Sequence, residues 1–368
     1  MLTGSIVIIL IVAITFFILR LPVFGRLPHG ERKARILADP NYVNGSFQNL
    51  SVTPVKPDDV SYFTIIRSLL KKNKDTTPSY VLPSVKPDFN TGRSGTKIIW
   101  FGHSSYYLQA AGLKILVDPV FSKSTSPFSF VGNTNYPGMD FVHAADFPEL
   151  DVVLITHDHY DHLDYPTILG LKSKTRLFIT SLGVGSHLER WGIAKANIRE
   201  LAWSEKMMLK EGVSIRALSA RHFSGRLFKR NQSLWSSFIL RTPTRRIYLG
   251  GDSGYDSHFA QIGEKYGPFD LAVLECGQYN AYWPYIHMFP EQTVQAGLDL
   301  KARAILPVHW GKFTLAQHDW DEPVERAFAA SKGADLQLIT PLPGQSVWLQ
   351  DDLPVAPWWR KSGVLDKQ

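Results

Sequence analysis

Read from its amino terminus, the chain opens on an unbroken apolar run. Positions 2–19 of "MLTGSIVIILIVAITFFILR" hold no charged side chain, and that length is close to what a helix needs to cross a bilayer. The pattern predicts an N-terminal transmembrane helix over residues 1–20. A cleaved signal peptide is the rival, but nothing basic precedes the run and Arg20 follows it. Arg20, Arg26, Arg32, Lys33 and Arg35 come just after, which by the positive-inside preference puts the rest of the chain on the cytoplasmic side. Residues 21–95 then read as a juxtamembrane arm, frequent in Pro, Asn, Ser and Lys. Only 58–72, "DDVSYFTIIRSLLKK", has helical period. Val60, Phe63, Ile66 and Leu70 share one face, with aspartates at the start and lysines at the end, as the helix dipole prefers. This reads as a helix docked on the main domain, with a membrane-surface helix as the alternative.

From residue 96 the period shortens. "TKIIWFG", "SSYYLQAA" and "LKILVDP" are β-rich runs broken by Gly and Pro. After a loop-like stretch at 121–148, further strands are expected in "DVVLIT", "RLFIT", "SIRALSA", "SSFILRT", "RRIYLGG", "LAVLE" and "RAILPVH". Helices are expected at 164–171, 183–191, 257–266 and 290–301, the last opened by Pro in its first turn. Strands outnumber helices, and the helices interleave only in part. That favours an α/β sandwich of two sheets flanked by helices over a single Rossmann-type sheet. The pattern assigns 96–350 to the main domain and 351–368 to a C-terminal tail.

Composition changes this picture little. A chain of 368 residues with 44% hydrophobic and 20% charged positions is globular. The net charge of +7 is scattered, without the basic stripe of a nucleic-acid binder; an acidic or phosphate-bearing ligand or an anionic membrane fits at least as well. One cysteine, Cys276, excludes an intramolecular disulfide and a Cys-based zinc finger.

The candidate chemistry sits in "ITHDHYDHLD", where an apolar strand ends. Alternate residues of an extended segment point the same way, so His157 and His159 can face one ion while Asp161 and His162, past the turn, face a neighbouring point. Imidazole nitrogen and carboxylate oxygen suit zinc, with manganese or iron acceptable. His222, Asp252 and His309 each follow the C-terminal end of another apolar strand, where function collects on a sheet scaffold. Asp118 reads as a turn or support residue and His103 as a hydrogen-bonded structural one.

"THDHYDH" resembles the HxHxDH signature of the metallo-β-lactamase superfamily, with the later ligand positions present in order. "WFGHSS", "GGDSGY", "HMFPEQTV" and "LPVHWGKF" resemble its N-acylphosphatidylethanolamine-hydrolysing phospholipase D branch. The resemblance implies a metallo-β-lactamase-like αββα sandwich with two mixed sheets flanked by helices. It implies two zinc ions, the first on His157, His159 and His222, the second on Asp161, His162 and His309, and Asp252 bridging them. Asp252 and His287 are then catalytic, with Asp158 as a partner that orients water. The implied substrate is a membrane phospholipid, cut to phosphatidic acid and an N-acylethanolamine. A homodimer is compatible with this reading. A lactonase or other ester hydrolase is the alternative, and a metal-bound envelope protein with little turnover a more distant one. Tyr279, Trp283 and Tyr285, close to His287, are candidate substrate contacts, as is Arg221 beside His222.

Overall fold

The computed structural model describes residues 2–70, 75–90, 92–128, 130, 132–226 and 229–360. The apolar N-terminal run forms α1 (Leu2–Leu19), with side chains described from residue 10 onward. The expected transmembrane span is not supported: among the described residues no helix is long and apolar enough to cross a membrane. Eighteen residues at about 1.5 Å rise give roughly 27 Å, short of a hydrocarbon core of about 30 Å. The arm continues through α2 (Gly30–Leu37), a small hairpin of β1 (Tyr42–Val43) and β2 (Ser46–Phe47), and α3 (Tyr62–Leu70). Ile36 and Phe47 are buried with Leu182, Leu234 and Trp235, so this part of the arm shares a core with the main domain. The amphipathic helix is present but not docked as expected: Phe63 and Ile66, from its apolar face, are 73% and 57% exposed. The sequence-predicted end of that helix at 71–72 lies outside the described residues.

Strands β3 (Lys97–Trp100), β4 (Tyr106–Ala110), β5 (Leu113–Val117) and β6 (Leu150–Ile155) come next. They are followed by α4 (Tyr165–Leu171), β7 (Thr175–Ser181), α5 (Gly185–Arg190) and β8 (Ile198–Leu201). The second half runs β9 (Lys206–Lys210), β10 (Val213–Leu218), β11 (Ser237–Arg241), β12 (Arg246–Leu249), α6 (His258–Tyr266) and β13 (Leu271–Glu275). It ends with α7 (Pro290–Asp299), β14 (Ala304–Val308), α8 (Glu322–Ala330), β15 (Gln337–Leu338) and β16 (Ser346–Trp348). One seven-stranded sheet has the order β16-β3-β4-β5-β6-β7-β8, the other β15-β14-β13-β12-β11-β10-β9. Each is antiparallel along one half and parallel along the other.

Three apolar layers follow from this order. Ile98, Leu108 and Val152 of the first sheet meet Ile215, Phe238 and Leu240 of the second. Ile168 and Leu188 cover the outside of the first sheet, while Phe259, Ile262 and Val294 cover the second. The result is the expected αββα sandwich. Residues 351–360, read as part of a tail, put Trp358 and Trp359 into the central layer; two adjacent indoles hold too much apolar surface to stay in water. Residues 361–368 lie outside the described residues.

Candidate metal centre

The seven predicted ligand side chains stand at one end of the two sheets. The turn after β6 carries His157, His159, Asp161 and His162, while His222 and Asp252 follow β10 and β12, and His309 directly follows β14. One ligand position, His309, and two supporting ones, His103 and Asp118, have left-handed backbone without being glycine, with φ of 68°, 50° and 41°. Such strain persists where the surroundings over-determine it, commonly at functional sites.

Nitrogens of His157, His159 and His222 gather at one point, His159 Nδ1 lying 2.9 Å from His157 Nε2 and 3.2 Å from His222 Nε2. At a neighbouring point, Asp161 Oδ2 is 3.3 Å from His309 Nε2 and 3.6 Å from His162 Nε2. Asp252 Oδ2 lies between them, 3.2 Å from His162, 3.3 Å from His309, 3.6 Å from His222 and 3.8 Å from His157. Ligands about 2.0–2.1 Å from a tetrahedral zinc sit about 3.3 Å from each other, so this spacing is that of donors around ions.

The outer hydrogen bonds fit the same reading. His162 Nδ1 donates to Asp118 Oδ2 at 2.8 Å and His222 Nδ1 to the Ile286 carbonyl at 2.9 Å. His309 Nδ1 donates to the Gly277 carbonyl, and His157 Nδ1 to Thr156 Oγ1, whose own proton goes to Asp118. With the outer nitrogen donating, each inner nitrogen carries a lone pair. His162 Nε2 and Asp252 Oδ1 are buried with no hydrogen-bond partner among the described residues. Inward lone pairs beside the buried Asp252 and half-buried Asp161 carboxylates call for cations, and the residues fit two of them.

The electrostatics agree. Burial, then the neighbouring imidazoles His162 and His159, pushes His157 well below its usual range. Burial would raise Asp252, but the facing imidazoles of His162 and His309 hold it far below the ordinary carboxylate range. Burial would lower His309, yet Asp252 and the hydrogen bonds to Asp161 and Glu275 lift it to about 10. Protons on His162 and His309 thus do in the metal-free chain what metal charge does in the loaded one.

Residues 114–310 match the beta-lactamase superfamily domain. An uncharacterized protein of Mycobacterium tuberculosis is 41% identical over 334 residues, covering 87% of each chain. The N-acyl-phosphatidylethanolamine-hydrolyzing phospholipase D 1 of Caenorhabditis elegans is 34% identical over 248 residues, 63% of this chain and 68% of that one. The chain belongs to the metallo-β-lactamase superfamily. Within that superfamily it falls in the branch resembling this phospholipase D, and it is a metal-dependent hydrolase. In fold it is similar to Igni18, a metallo hydrolase from Ignicoccus hospitalis, with a TM-score of 0.52 at 22% identity over 69% of this chain and 98% of the other.

In this metallo-β-lactamase-superfamily member the seven sequence-predicted ligand positions come together, and His287 joins them, its ring 5.0 Å from His222 and 5.1 Å from His309. Glu275, at the end of β13, was not singled out by sequence. Its buried carboxylate accepts from His287 Nδ1 at 2.8 Å and from the Ser253 amide at 2.7 Å. The available signal was an acid closing an apolar strand, as the ligand histidines do. His103, read as structural, holds Asp161 Oδ2 at 2.9 Å, and Asp118 is the support it was expected to be.

Other candidates are corrected. Asp158 does not face the donor cluster. One oxygen accepts from the Gly225 amide, the other from Ser233 Oγ and His187 Nε2, so it braces the motif from behind. His187 in turn accepts from the Arg26 amide at 3.1 Å, tying the arm to the motif; a Cβ at Gly25, where φ is +70°, would strike that imidazole. The Arg221 guanidinium gives three of its five N–H groups to Thr53 Oγ1 and the carbonyls of Val52 and Tyr255 and stacks over Tyr285, so it ties the arm to the loop before His287. Tyr279 is buried, its hydroxyl donating to Glu322. Trp283 and Tyr285 remain half-buried on the loop before His287. Gly254 lets that loop close in, since a Cβ there would meet the Tyr285 carbonyl.

Proposed function

We propose that this chain is a dinuclear zinc phosphodiesterase of phospholipase D type that hydrolyses N-acylphosphatidylethanolamine or a similar phospholipid. The observation that carries the reading is the pair of donor clusters meeting at Asp252, with a histidine held at their edge by a buried carboxylate. His157, His159 and His222 would hold one ion, Asp161, His162 and His309 the other, and Asp252 both. Zinc at these positions would supply Lewis acidity, bringing the ionisation of water towards neutral pH and offsetting charge that develops on phosphorus-bound oxygens.

The chain's own groups do the rest. Glu275 accepts from His287 Nδ1–H, so that the Nε2 lone pair is the free edge of the ring, able to take a proton from the attacking water and pass it to the departing alkoxide. Attack by water at phosphorus forms one P–O bond and breaks the other. The N-acylethanolamine leaves with that proton and phosphatidic acid remains. The similarity to a phospholipase D acting on N-acylphosphatidylethanolamine supports the choice of bond and substrate. Membrane contact is part of the same proposal: Tyr62, Phe63 and Ile66 on α3 and Leu10, Val12 and Phe17 on α1 are large, apolar and exposed. Such side chains lie readily in the headgroup region of a bilayer.

The test is to incubate detergent-solubilised, zinc-loaded protein with N-acylphosphatidylethanolamine and follow products by mass spectrometry, with a chelator control. Chelator-sensitive phosphatidic acid is the expected result. Release of fatty acid instead would move the chemistry to the ester bond, and hydrolysis only of a lactone would replace the proposal.

A further inference from the structure

The outer face of the second sheet carries a cluster of cations that the metal chemistry does not use. The register pairs Lys206 with Arg216, Ser214 with Arg241, and Arg241 with Arg246. Directly paired residues project from the same face, and so do residues two apart on one strand. Lys206, Arg216, Arg241 and Arg246 therefore stand together, with the Ser214 hydroxyl between them. Two of the cross-strand pairs, Lys206 with Arg216 and Arg241 with Arg246, set cation against cation at a Cβ separation of about 5 Å, an arrangement that costs stability in the empty sheet.

The local hydrogen bonds relieve only part of this. Arg216 donates to the Ser204 carbonyl, and Arg246 to the carbonyls of Tyr266 and Gly267 at the end of α6. The one carboxylate on the lining, Asp270, is taken by Arg245 and the Arg246 amide. Among the described residues, Lys206 and Arg241 find no acceptor, and both are exposed. They line a groove of about 570 Å³, and an adjoining one of about 170 Å³ is bounded by Arg216, Lys265 and Tyr266. The volume suits a small ligand, and a guanidinium fork beside an ammonium matches phosphate oxygens.

The groove is not an annex of the metal centre. Arg246 opens β12 while Asp252 lies past its other end, six residues on, which along a strand is about 20 Å. Its occupant is therefore not the phosphodiester being cut.

We infer that this groove is a second ligand site, taking a phosphate group borne by a soluble molecule or by a lipid headgroup. Lys206 and Arg241 supply the charge that no described residue offsets, and Ser214 donates a hydrogen bond at the floor.

The test uses the zinc-loaded 368-residue chain and its Lys206→Ala/Arg241→Ala variant. A second double variant, Lys172→Ala/Lys332→Ala, removes as much charge from exposed positions elsewhere. Inorganic phosphate is titrated by calorimetry, and in a separate arm binding is measured to phosphatidylcholine vesicles with and without phosphatidic acid. Hydrolysis with detergent-dispersed substrate, unchanged in all three proteins, verifies folding. The inference expects about a tenfold or greater loss of affinity in the groove variant and not in the charge control. Loss in the phosphate arm identifies a soluble ligand. Loss confined to the phosphatidic acid vesicles identifies a headgroup. Phosphate binding that persists in the groove variant belongs to the metal centre. Equal binding by all three proteins in both arms, or equal loss in the two double variants, overturns the inference.

Discussion

Asp252 serves two donor sets with one carboxylate, so its loss should cost more than that of any single histidine. Asp252→Ala is expected to cut turnover by about a thousandfold or more and to lower bound metal, read by elemental analysis of the folded protein. His287 is different in kind. It belongs to neither three-residue ligand set, so His287→Ala should keep full metal content while turnover falls about a hundredfold or more, the usual worth of a positioned general acid. Glu275 acts through it: Glu275→Ala should lose about 10–100-fold, and Glu275→Gln, which keeps an acceptor for His287 Nδ1, should recover part of that. A Glu275→Ala protein as active as the parent would remove Glu275 from the site. These residues also mark where sequence reading stops. The four donors in 157–162 are legible because one turn brings them together, and the distant ligands because each follows an apolar strand. The roles of Glu275 and Asp158 depend on which neighbour the fold places beside them, and Arg221 on three acceptors far away in the chain.

At the scale of elements the same division holds. The strands read from sequence, β3 to β7, β10 to β14, are the inner ones of each sheet, buried on both faces and so nearly continuous in apolar residues. The four strands of the two seven-stranded sheets that were not read, β8, β9, β15 and β16, are their four edges, and the two-residue strands of the arm hairpin were not read either. An edge pairs on one side only, and a short, polar-laced strand such as "KMMLK" protects it from further pairing while erasing the signal. Helix α3 was legible by its period, but period alone does not say what covers the apolar face. Its exposure carries a prediction. Phe63→Ser with Ile66→Ser should leave thermal stability within about 0.5 kcal/mol of the parent, since neither side chain is buried. Activity on substrate in vesicles should fall several-fold while activity on detergent-dispersed substrate holds. Equal loss on both would place the helix in the folded core's support and not at the lipid surface.

For the whole molecule, the two sheets form a frame whose loops hold the donors, and that frame must tolerate the Asp252 and Asp161 carboxylates among imidazoles. Without metal the tolerance comes from protons. Burial favours neutral His309, but Asp252, Asp161 and Glu275 raise it to about 10, above the value near 6.5 of an unfolded histidine. A group whose pKa is raised by folding stabilises the fold fully below its unfolded pKa, and that contribution fades as pH climbs through the folded one. Metal-stripped protein should therefore lose stability steadily between about pH 6.5 and 10, as His309 gives up its proton beside Asp161 and Asp252. Metal-loaded protein has no such dependence from this group, because metal charge stands where the proton stood and binds only the deprotonated ring. Thermal melts of both forms across that range separate the cases. Diverging curves, with the gap widening as pH rises, are expected; parallel curves would mean that the carboxylates are neutralised by some other group and that the donors do not share charge as their distances imply.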